Sequence, residues 1–99
     1  MFTGKEPHEI DAATARTYIR SWRERAAPGH TRGGFFGREV LVKMLAQPAC
    51  AGLRIHHARH EKGHNTFVVV AADADGRDLW QGTVAENMLT CPPYCPADE

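Results

Sequence analysis

No property of this chain is in large supply. No apolar run approaches the roughly 20 residues of a membrane-spanning helix, so no such span is expected. The first residues, MFTGKEPHEI, lack a positive stretch followed by an apolar one, so a secretion signal is not expected. The default compartment is then the cytoplasm. Neither sign of charge is in excess, since twelve Lys and Arg balance twelve Asp and Glu. That balance argues against a dedicated nucleic-acid binder. There are three cysteines and no second closely spaced pair, which leaves any zinc signal incomplete. No Gly-Lys-Ser/Thr follows the glycines of GHTRGGFFG and no strand precedes them, so a phosphate loop is not supported. No catalytic set of Ser/His/Asp or Cys/His type stands out, and there is no internal repeat.

What is present describes one globular domain. With 99 residues the chain can bury a modest core. The charges are uneven along it. Residues 1–50 carry eight basic side chains against five acidic ones, and residues 51–99 carry four against seven. A basic half and an acidic half attract each other, within one subunit or between two.

The organising stretch is GLRIHHARHEKGHNTFVVVAA, Gly52 to Ala72. Two extendable runs, Leu53–His60 and Thr66–Ala72, flank Glu61-Lys62-Gly63-His64, which predicts a hairpin. Leu53, Ile55 and His57 share one face by period two, and Arg54, His56 and Ala58 the other. Phe67, Val68, Val69 and Val70 make both faces of the second run apolar, which places it centrally in a sheet. Helices are expected on one side of it and another covering, such as a partner subunit, on the other.

Met1–Glu9 reads as a mobile arm. Asp11 then looks like an N-cap, and Ala12, Ala15, Ile19, Trp22 and Ala26 follow at steps of three and four. That spacing predicts a helix with one apolar stripe, ending near Ala27. Trp22 is expected in the helix–sheet core. Arg16, Arg20 and Arg23 lie on the opposite face, a solvated stripe by default and a subunit contact otherwise. Pro28–Gly34 reads as a loop. A second helix follows Phe35-Phe36-Gly37, with Phe36, Val40, Leu41, Met44 and Leu45 on one face, and Pro48 ends it. After the hairpin, Asp73–Asp78 is a tight turn with Gly76 supplying positive φ. Arg77 and Val84 stand where a calcium loop needs oxygen ligands. Leu79–Val84 is a candidate third strand, weakened by Gly82. Residues 91–99 form a Pro/Cys tail, expected to dock near Cys50 because two prolines stiffen it.

The cysteines leave three readings open. Cys50, Cys91 and Cys95 are candidate zinc ligands, completed by one of His56, His57, His60 or His64. Cys91 and Cys95 are otherwise a disulfide, in tension with a cytoplasmic location. The third reading, and the default, is reduced cysteines. His56 and His57 point to opposite faces of a strand, and His60 and His64 flank a turn, so surface or partner-contact histidines are favoured over ligands.

Five short patterns resemble a group of short bacterial proteins that carries no established activity. They are Phe35-Phe36-Gly37, Leu45-Ala46-Gln47-Pro48-x-Cys50, Gly52-Leu53-Arg54-Ile55, Val70-x-x-Asp73-x-x-Gly76-x-Asp78 and Cys91-Pro92-Pro93-x-Cys95. The resemblance implies that Cys50, Cys91 and Cys95 belong to one shared pattern.

The expected fold is α+β, with two helices on a small antiparallel sheet in the order α-α-β-β and a candidate third strand. The expected role is a non-enzymatic interaction or self-assembly module, forming a homo-oligomer through Arg16, Arg20, Arg23, Val68 and Val70. The alternatives are a zinc-stabilised adaptor using Cys50, Cys91 and Cys95, and a small thiol redox protein or enzyme using Cys91 and Cys95.

Overall fold

Asp11 starts the first helix, α1, Ala12–Arg25. Its carboxylate accepts from the Thr14 N–H at 3.1 Å and from the Thr14 hydroxyl. This satisfies donors that the first turn of a helix leaves without partners. The Ala26 N–H donates to Trp22 O and closes the helix, and Gly29, at φ +84°, turns the chain away. The computed structural model describes residues 1–97. Asp98 and Glu99, counted above in the acidic half and the tail, lie outside the described residues.

Six further elements follow in chain order. They are β1 (Gly33–Phe35), α2 (Arg38–Leu45), β2 (Gly52–Arg59), β3 (Asn65–Ala72), β4 (Val84–Ala85) and β5 (Leu89–Cys91). Strands β2, β3 and β4 form one antiparallel sheet in that order, and β1 pairs with β5 in a second, two-stranded one. The architecture is α+β, as the sequence predicts. Among the described residues no helix is long and apolar enough to cross a membrane.

The hairpin is the predicted one. Ile55 stands opposite Val69, and Arg54 opposite Val70. At its tip the His60 N–H donates to His64 O, the Gly63 N–H donates to His60 O, and Gly63 takes φ +93°. Strand β3 is central. Val69 faces α2, where Met44, Val69 and Ala85 form the core and Phe36, Val40, Leu41 and Leu53 pack against it. Leu45, expected on that apolar face, is left exposed.

The other face of β3 is covered in part by this chain itself. Asp73 Oδ1 accepts from the N–H groups of Asp75 and Arg77, and Gly76 takes φ +87°. The turn brings Asp78 into a bridge with Ala72, on the face of Val70. Val70 is completely buried. The third strand lies at Val84–Ala85 rather than Leu79–Val84, because the chain loops out after Asp78 and returns to pair with Val69 and Val70.

Two further expectations are corrected. Pro28–Gly34 is not all loop: Gly33 and Gly34 join β1, opposite Cys91 and Thr90. Gly34 suits that pairing because a Cβ there would run into the Met88 side chain. And α1 buries none of its residues. Trp22 is 46% exposed and meets the His30 ring at 6.3 Å. The physical reason is occupancy: α2 already holds one face of the sheet, and the turn through Asp78 and Trp80 lies over the other.

Met44 is completely buried and Val42, on the same helix, is exposed. Met44→Ala is therefore expected to cost about 2–5 kcal/mol. Val42→Ala is expected to stay within about 0.5 kcal/mol. Urea unfolding of the two variants measures the difference.

Candidate functional site

Three groupings of reactive side chains emerge. The first straddles β3. Arg54 and His56 project from β2 on the face of Val70, and Asp78 reaches that face from the far side. Arg54 Nε lies 3.2 Å from Asp78 Oδ1, and the His56 ring N–H donates to Asp78 Oδ2 at 2.8 Å. Arg54 Nη2 also donates to Gly76 O at 3.1 Å, and its guanidinium lies 5.8 Å from the centre of the Phe2 ring. Trp80 stacks on His56 with ring centres 5.7 Å apart. The Phe2 N–H donates to Ala74 O, so the first residues of Met1–Glu9 lie against this turn. The Asp78 carboxylate is 12% exposed and holds the Arg54 guanidinium and the His56 ring across one strand. It can fix them in place, or bind a group that competes for them.

The second grouping lies at the hairpin tip. The His60 and His64 rings stack at 4.6 Å, and His60 Nε2 is 3.9 Å from Glu86 Oε1. Thr66 donates its hydroxyl to Glu86 Oε2 at 3.0 Å. The Asn87 backbone N–H is the main cause that holds Glu86 below its ordinary 4.5, helped by the Thr66 hydroxyl and by positive charge on His60 and His64, against a smaller upward push from burial. His60 Nδ1 accepts from the Lys62 N–H.

The third grouping is the tail. Cys91 and Cys95 form a disulfide. Cys91 is buried and pairs with Gly33 through β5, and the Arg32 N–H donates to Cys91 O at 2.7 Å. The tail therefore docks on β1 and not beside Cys50. Cys50 stays a free thiol, donating to Gly52 O at 3.3 Å. The three sulfurs proposed as zinc ligands are not brought together. Among the described residues, no group of three His, Cys, Asp or Glu side chains is placed to hold a metal ion. A disulfide spanning five residues closes a small loop. Such a loop stabilises by roughly 2 kcal/mol in the chain-entropy view, against about 4.7 kcal/mol for a 100-residue loop.

Of the residues expected at an interface, Arg16 and Arg20 are exposed, Arg23 and Val68 are half-buried, and Val70 is fully buried within the chain and offers nothing to a partner. Sequence reasoning missed the Arg54–His56–Asp78 cluster, since 22 residues separate Asp78 from His56. The one available signal was the turn itself, which returns an acidic residue to the strand it left. Glu86 gave no signal. Compared with known protein families, curated proteins and solved structures, this chain matches none.

Two outcomes are expected. Asp78→Asn should cost about 1 kcal/mol of stability, because Arg54 and His56 remain more than a third exposed and water screens the pairs. Glu86 has a depressed folded-state pKa, so its contribution is present above the ordinary 4.5 and is lost as pH falls through the lower folded value. Glu86→Gln should therefore flatten the stability curve below about pH 4.5, as measured by urea unfolding on either side of that pH.

Proposed function

We propose that this chain is a small interaction module that assembles with copies of itself. One observation carries the reading. The accessible surface is 7759 Å², whereas a compact monomer of 11.0 kDa exposes roughly 5,600 Å². The excess, roughly 2,000 Å², is more than twice the ~800 Å² that each partner buries in an ordinary stable interface. The radius of gyration agrees. It is 15.1 Å, against about 12.6 Å for a compact domain of this length.

The uncovered surface is apolar in the right places. Tyr18 and Trp22 on α1, Val42 and Leu45 on α2, and Ile55 on β2 are all exposed, Ile55 at 63%. Burying such side chains against a second copy removes apolar area from water at about 25 cal/mol per Å². An amphipathic helix that buries nothing in its own chain is a natural element to be covered by another. The charge pattern supports the same partner. The arginines of α1 in one copy suit the acidic residues of the second half of another, Asp73, Asp75 and Glu86 among them. A second copy is the one partner that always brings both halves.

Light scattering at micromolar concentration should give a mass of at least two chains. The double variant Trp22→Lys, Ile55→Lys should fall to the monomer mass and keep its far-ultraviolet circular dichroism, because neither side chain is in the core. A monomeric mass for the unaltered chain at that concentration would sink the proposal.

A further inference from the structure

We propose that the Cys91–Cys95 disulfide is a thiol–disulfide exchange site for cysteine pairs carried on apolar protein segments. The bond lies in the lining of a cleft of about 660 Å³. Ile19 of α1, Phe35 of β1, Leu89 of β5 and Tyr94 line the cleft with it, and so do Arg23 and Arg32. All four apolar side chains are exposed, so an apolar segment entering the cleft takes their surface out of water. The two arginines bring positive charge to the same walls. The nucleophile in exchange is the thiolate, and the departing sulfur also carries negative charge, so cations favour both.

The two sulfurs are not equivalent. Cys91 is buried and Cys95 is partly exposed. The incoming thiolate therefore attacks Cys95 Sγ. A bond forms between the two sulfurs, and Cys91 Sγ leaves as a thiolate. The second substrate cysteine, having lost its proton to solvent, then attacks its neighbour's sulfur in the mixed disulfide, and Cys95 Sγ leaves as a thiolate. The substrate ends as a disulfide and the chain as a dithiol. Two electrons pass to the chain, and the protons released by the substrate balance those taken up by Cys91 and Cys95. A small-molecule disulfide such as oxidised glutathione returns the chain to its starting state by the same exchange.

The backbone is arranged to survive the opening. Cys91 is held by the Arg32 N–H, and the Tyr94 N–H donates to Thr90 O at 2.9 Å. Neither bond depends on the sulfurs, so β5 keeps its place beside β1 when the disulfide breaks. The small loop that the bond closes adds to the argument, because a staple of that span restrains little chain.

The test uses the full oxidised chain with Cys50→Ala, so that the remaining thiol does not react. A synthetic peptide with two cysteines flanked by Leu and Phe is compared with the same peptide flanked by Ser and Asn, at equal thiolate concentration. Intact mass follows reduction of the chain. The apolar peptide should react at least tenfold faster, and Arg23→Gln with Arg32→Gln should slow it several-fold. With a one-cysteine apolar peptide supplied as its glutathione disulfide, Cys91→Ser leaves Cys95 free and should take up the peptide at least tenfold faster than Cys95→Ser. Equal rates for the two peptides, a disulfide that opens only in denaturant, or a chain isolated in air without the disulfide would each overturn the proposal. Where a cysteine variant does not fold, the comparison of the two peptides on the unaltered pair decides.

Discussion

The pairing of β2 with β3 is the constraint from which the rest follows. Its register sets Ile55 opposite Val69 and Arg54 opposite Val70. A slip of one residue would turn every side chain of one strand to the wrong face. In the observed register Val69 reaches Met44 under α2, and Val70 lies beneath the bridge that Asp78 makes across the strand. Both faces of β3 are thereby covered, the second only in part, and by unlike means. One closure is apolar packing. The other is a carboxylate drawing Arg54 and His56 together over small and branched side chains.

This arrangement leaves little core to share. Met44 and Val70 are the large side chains that lie fully buried among the described residues. A domain of about 100 residues has only a modest margin between hydrophobic gain and chain entropy. The second sheet, β1 with β5, and the helix α1 add surface faster than they add buried volume. Assembly with a second copy would resolve that imbalance. The disulfide would not, since it closes only the short loop between Cys91 and Cys95.

The elements that were legible in the sequence share a physical property: their signals are local. The α1 cap depends on Asp11 and Thr14, three residues apart. The hairpin tip depends on Gly63, and the Asp73–Asp78 turn on Gly76, both at positive φ where other residues are strained. What was misread depends on distant partners. Gly33–Phe35 has no strand preference of its own and becomes a strand because Leu89–Cys91 lies beside it. The stripe on α1 is apolar, as its spacing predicts, but it does not enter the core, because periodicity says which residues share a face and nothing about whether a face is free to receive them.

The sequence alone determined the alternation of β2 and β3, the N-terminal cap of α1 and the two glycine turns, because backbone preference and side-chain period act over a few residues. Tertiary structure alone decided which sulfurs meet. Cys50, Cys91 and Cys95 stood as one candidate zinc set, yet Cys91 pairs with β1 and bonds to Cys95 four residues on, and Cys50 is left donating to the strand that follows it. It also decided that Asp78 binds Arg54 and His56, and that Glu86 meets His60 and accepts from Thr66. The physical reason is chain separation. Groups about 20 residues apart or more have no fixed distance until the strands between them pair, and their chemistry comes into being with that pairing.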